Sequence, residues 1–347
     1  MDVNKIENWN IRNLEGIFLS PTNFCNCRCI MCPNSRIKGK RGFLDWELFV
    51  RIINNIKSFY KNSDFLELHF YSDGEPFFHP RYVEMLEYID HNLSDVIVQI
   101  NTNGCLLNKE RIDRILKLHN NNYVFVFSMD ASNKGLYERI RIGGDYNSME
   151  QNIMYFLEQK KRKKIRNPYV VLQFIVMPIN EHDRHNFYWK WESSLGPETK
   201  NESVDWNKDL LLSNSAHVHW KEYHEGWSSH VVEDYDFEDS LILNRLLSVP
   251  NSSFYNPEIS PKICAWLWNR LIIGWNGKIG TCCFHWEGLG LGGTVLGQSL
   301  SDAFTGKIMN NLRWRFLKGQ HDMIPICRNC EQKHWWSNPG LENYFEL

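Results

Sequence analysis

A chain of 347 residues, 43% hydrophobic and 23% charged, can bury a large core as one big domain or as a catalytic domain with an appendage. Its net charge of −2 argues against electrostatic capture of nucleic acid or of an anionic membrane, and no apolar run reaches the length of a membrane span. Ten cysteines behind a polar N-terminus with no export signal point to the reducing cytoplasm, where thiols ligate metals more readily than they pair.

Up to about residue 212, short apolar runs alternate with amphipathic stretches, the pattern of βα units and a parallel sheet. Strands are expected at 16–20, 65–70, 95–100, 123–128, 170–177 and 203–212, with helices at 46–60, 81–91, 109–119 and 149–163. Asp45 is placed to cap the first helix, in which Leu48, Phe49, Ile52, Ile53 and Ile56 repeat at helical spacing. Six such units make an incomplete (β/α)6 barrel of the TIM kind, with functional groups at the C-terminal ends of the strands. From 213 to 260 the rhythm breaks. This segment carries His217, His219, Trp220, His224, Trp227 and His230, which either line a substrate pocket or lie scattered on a surface loop. The expected division is therefore a barrel over 1–212, a bridge over 213–260 and a small Gly- and Cys-rich domain over 261–347.

Cys25, Cys29 and Cys32 form a C-x3-C-x2-C triad just after the first expected strand. A cubane [4Fe–4S] cluster takes one thiolate per iron, so a local triad leaves one iron open, and an open iron is where chemistry can occur. The competing reading is zinc, whose loops usually offer C-x2–4-C pairs matched by a second pair. Downstream, the expected strands end in turn-like text: Tyr71-Ser72-Asp73-Gly74-Glu75-Pro76, then Asn101-Thr102-Asn103-Gly104, then Ser128-Met129-Asp130 followed by Tyr137-Glu138-Arg139-Ile140-Arg141. The fifth strand, 173–177 with Val176, is followed by Asn180.

Any one of these is an ordinary turn, helix face or buried strand. In this order, each at a strand end, they resemble the radical S-adenosylmethionine (radical SAM) enzymes. The resemblance implies that Cys25, Cys29 and Cys32 hold a catalytic [4Fe–4S] cluster. It implies that Gly74, Glu75 and Pro76 hold the SAM amino group, with Asp73 standing where the family often has Gly. Asn101 and Asn103 would lie near the ribose and cluster, Ser128 and Asp130 near the ribose or carboxylate, and Val176 near the adenine. Arg141 is suited to a carboxylate because a guanidinium grips one bidentately, whereas Arg139 fits a solvated helix face.

A second cysteine set follows: Cys264, Cys282 with Cys283 beside it, and the C-x2-C pair Cys327 and Cys330. By spacing alone this is a Zn(Cys)4 knot or an iron–sulfur site. With Gly277 five residues before Cys282, it resembles the SPASM and twitch appendages of radical SAM enzymes, implying one fully ligated auxiliary [4Fe–4S] cluster on Cys264, Cys282, Cys327 and Cys330. Cys283 is an alternative to Cys282 as ligand. Cys27, Cys105 and Cys283 are otherwise left as inert buried thiols or as a hydrogen donor to a substrate radical.

The resemblance implies reductive cleavage of SAM to a 5′-deoxyadenosyl radical, hydrogen abstraction from the substrate, and an electron donor such as flavodoxin or ferredoxin. A fully ligated second cluster suits electron transfer, so a net two-electron oxidation is expected. With only 24 residues before Cys25, a small polar substrate such as a sugar or aminocyclitol is expected over a ribosomal peptide, whose cross-linking, epimerisation or maturation is the alternative. Outside catalysis, the same cysteines would serve an iron–sulfur electron carrier or a zinc-stabilised binding module.

Overall fold

Runs rich in Val, Ile and Phe are stiff at χ1 and fit a pleated surface, and here they become parallel strands separated by capped helices. The computed structural model describes residues 9–36, 39–60, 66–194, 216–222, 264, 266–283, 291–328 and 330. Its strands are β1 Gly16–Leu19, β2 Arg28–Cys29, β3 Glu67–His69, β4 Ile97–Thr102, β5 Asn122–Ser128, β6 Arg141–Ile142, β7 Tyr169–Val176, β8 Ala216–Glu222, β9 Arg270–Ile273 and β10 Ile279–Gly280. Eight of them form one sheet in the order β10-β9-β1-β3-β4-β5-β7-β8. The pairs from β1 through β8 are parallel, which gives the six strands of the partial barrel.

The helices cover the outer face of this sheet. Asp45 caps Trp46–Phe59 by accepting from the Glu47 and Leu48 N–H groups at 2.9 and 3.1 Å. The expected stripe of Leu48, Phe49, Ile52, Ile53 and Ile56 is buried. The helix expected from 149 starts a turn earlier, Tyr146–Lys163, because Asp145 caps it through Asn147 and Ser148. Helices Lys134–Ile140 and Arg184–Trp191 were not expected; the first is short and the second lacks an apolar stripe.

The last barrel strand is displaced from its expected place. The stretch 203–212 lies outside the described residues, and the strand that pairs with β7 is Ala216–Glu222, inside the segment read as a bridge. Its alternation of His217, His219 and Lys221 with Val218 and Trp220 is a strand pattern. It reads as a loop because the alternate face is polar. The remainder of the bridge, including His224, Trp227 and His230, lies outside the described residues.

The C-terminal part joins the barrel sheet rather than standing apart. β9 adds parallel to β1 at the edge opposite β8, and β10 folds back on β9. Trp9 Nε1 donates to Trp268 O at 2.6 Å and Glu15 N to Asn269 O at 2.9 Å, so the start of the chain locks this junction. Behind it, Arg313 on helix Lys307–Leu317 is fully buried and donates to Leu267 O, Phe304 O and Asn310 Oδ1, each at 2.8 Å.

Alternation along the strands divides the core. Phe125, Phe127, Val170, Leu172 and Phe174 belong to the main core that includes the helices. Val124, Val126, Tyr169 and Val171 form a second cluster with Ile97 on the opposite face, inside the barrel. Beyond these valines, toward the C-terminal strand ends, the inner face turns polar.

Candidate functional site: a thiol loop over a polar barrel mouth

The loop after β1 is tied down by amides. Asn34 Nδ2 donates to Asn23 O at 3.0 Å and to Asp73 O. Arg41 donates to Asn23 O at 2.5 Å and to Asn34 O at 2.6 Å. Within it β2 pairs with β6, Cys29 opposite Arg141. Cys25 and Cys32 are half-buried and Cys29 is buried. Burial, then the charges of Cys29 and Cys25, pushes the Cys32 thiol up to about 12, so the three sulfurs share one field. Cys29 is drawn down to about 7, first by the hydrogen bond from Cys27 and also by the charge of Arg141.

A cubane takes one thiolate per iron, so three thiols in one loop are the donor set that a cluster with an open corner would need. Among the described residues no three His, Cys, Asp or Glu side chains converge as ligands of a single metal ion.

The strand-end motifs come together around this loop, and several of their side chains also bond one another. Gly74 is where the second motif meets the loop: a Cβ there would lie 2.4 Å from Phe24 O and 2.7 Å from Thr22 O. Only glycine permits that approach. Glu75 is 3% exposed, and its carboxylate accepts from Thr102 Oγ1 at 2.6 Å, Asn103 N at 2.8 Å and Phe77 N at 3.2 Å. It fastens the second motif to the third. Pro76 opens the short turn Pro76–Phe78 that Glu75 caps. Burial raises both Asp73 and Glu75 to about 7.

Asn103 Nδ2 donates to Asn26 Oδ1 at 2.8 Å and approaches Cys27 Sγ at 3.5 Å, holding the thiol loop from the side. Cys27 is buried and its N–H donates to Cys25 Sγ at 3.4 Å, and Cys105 meets Tyr137 Oη at 3.4 Å.

Asp130 has φ +63 and no exposed surface. Its Oδ2 accepts from Arg141 Nη2 at 2.5 Å and its Oδ1 from Ile175 N at 2.7 Å, so it orients Arg141. Arg141 also points Nη1 at Cys29 Sγ, 3.7 Å away, and its buried Nε has no partner. An unpartnered buried guanidinium N–H beside the Cys29 thiol is suited to a carboxylate ligand. The Asp130 and Cys29 charges oppose the cost of burial and keep this guanidinium protonated. Ser128 Oγ accepts from Gln173 Nε2 at 3.4 Å on the inner face, Asn101 Oδ1 accepts from Gln99 Nε2 at 2.8 Å, and Val176 is buried at the end of β7.

The barrel interior adds residues that sequence reasoning missed. Glu67, His69 and Tyr71 alternate along β3 and its continuation and so share a face. Tyr71 Oη lies 3.5 Å from His69 Nδ1, His69 Nε2 lies 3.0 Å from Glu67 Oε2, and Gln99 Nε2 donates to Tyr71 Oη at 3.2 Å. His69 stacks on Phe18, ring centroids 4.0 Å apart. Arg270 reaches Glu67 at 3.6 Å and Glu15 at 3.1 Å by crossing Gly16, where a Cβ would stand 2.8 Å from Arg270 Cδ. Burial lowers the His69 pKa against the pull of Glu67. The signal for these residues was the period-2 run of polar side chains in Glu67-Leu68-His69-Phe70-Tyr71 and Gln99-Ile100-Asn101.

On the far wall, His219 pairs with Gln173 and Lys221 with Ile175. Burial, eased by the charges of Cys283 and Asp130, brings the Lys221 amine down to about 8. Trp220 points the other way and packs edge-on against Phe174 and Phe187. The outer cavity it shares with Glu181, Arg184, His185, Tyr188 and Trp189, about 560 Å³, is thus on the helix side of β8 and not at the strand-end motifs.

In the second cysteine set, Cys264 is pushed up to about 12 by burial and then by the charge of Cys330. Cys283 is likewise pushed up to about 12 by burial and feels Cys264 and Cys330 as well as Lys221. Cys283 therefore lies within electrostatic reach of both Cys264 and Cys330 and the barrel residue Lys221. Cys330 N donates to Cys327 O at 3.3 Å, which bends the C-x2-C pair into a turn.

Comparison with known proteins agrees with this geometry. The radical SAM superfamily matches residues 19–188, and the SPASM iron–sulfur cluster-binding domain matches residues 264–331. A tungsten-containing aldehyde ferredoxin oxidoreductase cofactor-modifying protein from Pyrococcus furiosus is 24% identical over 279 residues, 78% of this chain and 71% of that protein. Streptococcus suis SuiB bound to the precursor peptide SuiA superposes with a TM-score of 0.55 at 14% identity, covering 90% of this chain and 69% of SuiB. BtrN in complex with AdoMet and 2-DOIA gives 0.50 at 14% identity, covering 92% of this chain and 93% of BtrN. At these identities the structural likeness is one of fold. The chain belongs to the radical SAM superfamily, an enzyme that works with S-adenosylmethionine and iron–sulfur clusters, and it carries a C-terminal SPASM domain.

Proposed function

We propose that this enzyme is an oxidoreductase that removes two electrons from a small polar substrate such as a sugar or aminocyclitol. The observation that carries the reading is the hydrogen-bonding inner wall at the strand ends, formed by Tyr71, Gln99, Asn101, Ser128, Gln173 and Lys221. In this reading Cys25, Cys29 and Cys32 hold the SAM-binding cluster, and Cys264, Cys282, Cys327 and Cys330 the auxiliary one. When bound, the first cluster and SAM supply a carbon radical that removes one hydrogen atom, and the second cluster is the sink for the electron that follows.

The chain's own residues orient and deprotonate. Arg141 would hold the SAM carboxylate through its unpartnered Nε, with its direction fixed by Asp130. Gly74, packed against the Phe24 and Thr22 carbonyls, would leave room for the amino group. Ser128 would serve the ribose and Val176 the adenine. Oxidation of an alcohol also releases one proton. Tyr71 accepts from Gln99 and donates to His69, which leaves it a lone pair for a substrate hydroxyl. His69 with its proton on Nε2 donates to Glu67 and offers Nδ1 as the base.

A second reading, modification of a ribosomal peptide, has in its favour that SuiB, similar in fold, is bound to a precursor peptide. The test is anaerobic turnover of the reconstituted enzyme with SAM and dithionite on parallel panels of polyols, aminocyclitols and peptides. A polyol or aminocyclitol product two mass units lighter, formed with 5′-deoxyadenosine, supports the proposal. Turnover of peptides alone, or a product of unchanged mass carrying one solvent deuteron, overturns it.

A further inference from the structure

The helix Arg184–Trp191 divides its aromatic residues between two surroundings. Phe187 and Trp191, one turn apart, are buried, and Phe187 packs edge-on against Phe174 and Trp220. Arg184 with Tyr188 and His185 with Trp189 are paired at the same spacing, the first two half-buried and the second two exposed. Trp189 is 66% exposed, the most open large apolar side chain among the described residues. Core packing accounts for Phe187 and Trp191 but not for an indole left in water.

Arg184, His185, Tyr188 and Trp189 line the outer cavity together with Glu181 and Trp220, and its volume of about 560 Å³ suits a small molecule. The cavity is separate from the barrel mouth, because His219 and Lys221 alternate with Trp220 along β8 and face the other way. Its walls are held in place. Buried Asp183, at the start of the helix, accepts from Ser132 N and Ser132 Oγ, each at 2.6 Å, and Lys190 donates to Ser132 O at 2.9 Å. Trp220 is clasped by Phe174 and Phe187. A ligand would therefore meet groups already fixed by the fold.

The lining dictates what fits. The exposed indole of Trp189, edge-on to Tyr188, is a platform for a planar ring. Arg184 lies over the Trp220 ring at 4.9 Å, and its guanidinium makes no hydrogen bond or ion pair among the described residues. A guanidinium stacked in this way turns its N–H fork to an anion, and His185 beside it adds a donor. Glu181 can only accept, so the ligand must also bring a hydroxyl or amine. We propose that this outer cavity binds a nucleoside monophosphate, with the base on Trp189 and Tyr188, the phosphate on Arg184 and His185, and a ribose hydroxyl on Glu181. An inorganic anion leaves the rings unused, and a polyol leaves the guanidinium unpaired. S-adenosylmethionine is disfavoured here, because its sulfonium and ammonium outweigh its carboxylate beside Arg184 and His185.

The test titrates adenosine and guanosine monophosphate into reconstituted enzyme saturated with SAM, read by calorimetry and tryptophan fluorescence. Adenosine and ribose 5-phosphate serve as partial ligands, and Trp189→Ala, Trp189→Phe and Arg184→Gln as variants. The expected result is one equivalent of nucleotide bound with SAM in place, and each partial ligand weaker by about tenfold or more. Trp189→Ala should weaken the nucleotide about tenfold, and Trp189→Phe, which keeps a ring to stack on, should stay within about threefold of wild type. Arg184→Gln should weaken the nucleotide about tenfold and leave adenosine within about twofold. SAM affinity should stay within about twofold throughout, since none of these side chains faces the barrel mouth. No binding of either nucleotide to wild type, binding lost once SAM is present, uptake of a second equivalent of SAM, or Trp189→Ala and Arg184→Gln variants that bind nucleotide like wild type overturns the proposal.

Discussion

The Asp130–Arg141 pair can be taken apart one charge at a time. The two groups meet at 2.5 Å, with side chains 0% and 8% exposed. Two unit charges about 4 Å apart attract by about 4 kcal/mol at an effective dielectric of 20, and breaking a buried pair by removing one partner costs about 3–5 kcal/mol. Asp130→Asn isolates the charge: asparagine tolerates φ +63, and its carbonyl can still accept from Ile175 N. The expected loss is therefore about 3–5 kcal/mol, or a fall in Tm of roughly 2 °C per kcal/mol. Adding Arg141→Met removes the stranded cation and should recover most of that loss. SAM binding separates the roles. Asp130→Asn should weaken it about tenfold by misorienting the guanidinium, and the double variant should weaken it further although it is more stable. Tm by scanning calorimetry and SAM affinity by equilibrium dialysis are the assays. A double variant that binds SAM like wild type would refute the role of Arg141, and an Asp130→Asn loss under about 1 kcal/mol would refute the buried pair.

Other outcomes follow from single contacts. Burial raises Glu75 from 4.5 to about 7, so its protonated form stabilises the fold fully below pH 4.5, and that contribution is lost as pH rises through 7. Glu75→Gln should thus cost about 1–3 kcal/mol near pH 5, for a donor left facing the Asn103 N–H, and less at pH 8; a penalty that grows with pH would contradict this. Gly74→Ala forces a Cβ against Phe24 O and should lower both Tm and reconstituted iron content, whereas full iron loading would show that the loop can give way. Arg313→Met leaves the carbonyls of Leu267 and Phe304 without their donor and should destabilise the chain by about 3 kcal/mol, read as a lower Tm with unaltered SAM affinity.

The barrel was legible because five of its six strands are apolar runs between turn signals, and Asp45 and Ile52 announce the first helix without tertiary help. β8 was not legible, since His219 and Lys221 face inward and give a polar strand. The cysteine spacings marked two candidate cluster sites, but spacing carries no information about which motif residues touch one another. Glu75 reads from its motif as a ligand group, and its bonds to Thr102 and Asn103 appear only in the structure. Asp130 likewise reads as a SAM contact, and its grip on Arg141 appears only in the structure. The Glu67–His69–Tyr71 row was present as a period-2 pattern. It gained meaning only once β3 was seen to pair with β4, which sets Gln99 beside His69 and Tyr71 on the inner face.

The central claim is that Cys25, Cys29 and Cys32 carry a cluster distinct from the one in the SPASM domain. Iron analysis with Mössbauer spectroscopy of anaerobic wild type and the Cys25→Ala/Cys29→Ala/Cys32→Ala variant tests it most directly. The account predicts about eight irons in wild type and about four in the variant, with no 5′-deoxyadenosine formed by the variant on reduction. Equal iron content and unchanged cubane signals in the two proteins would contradict it.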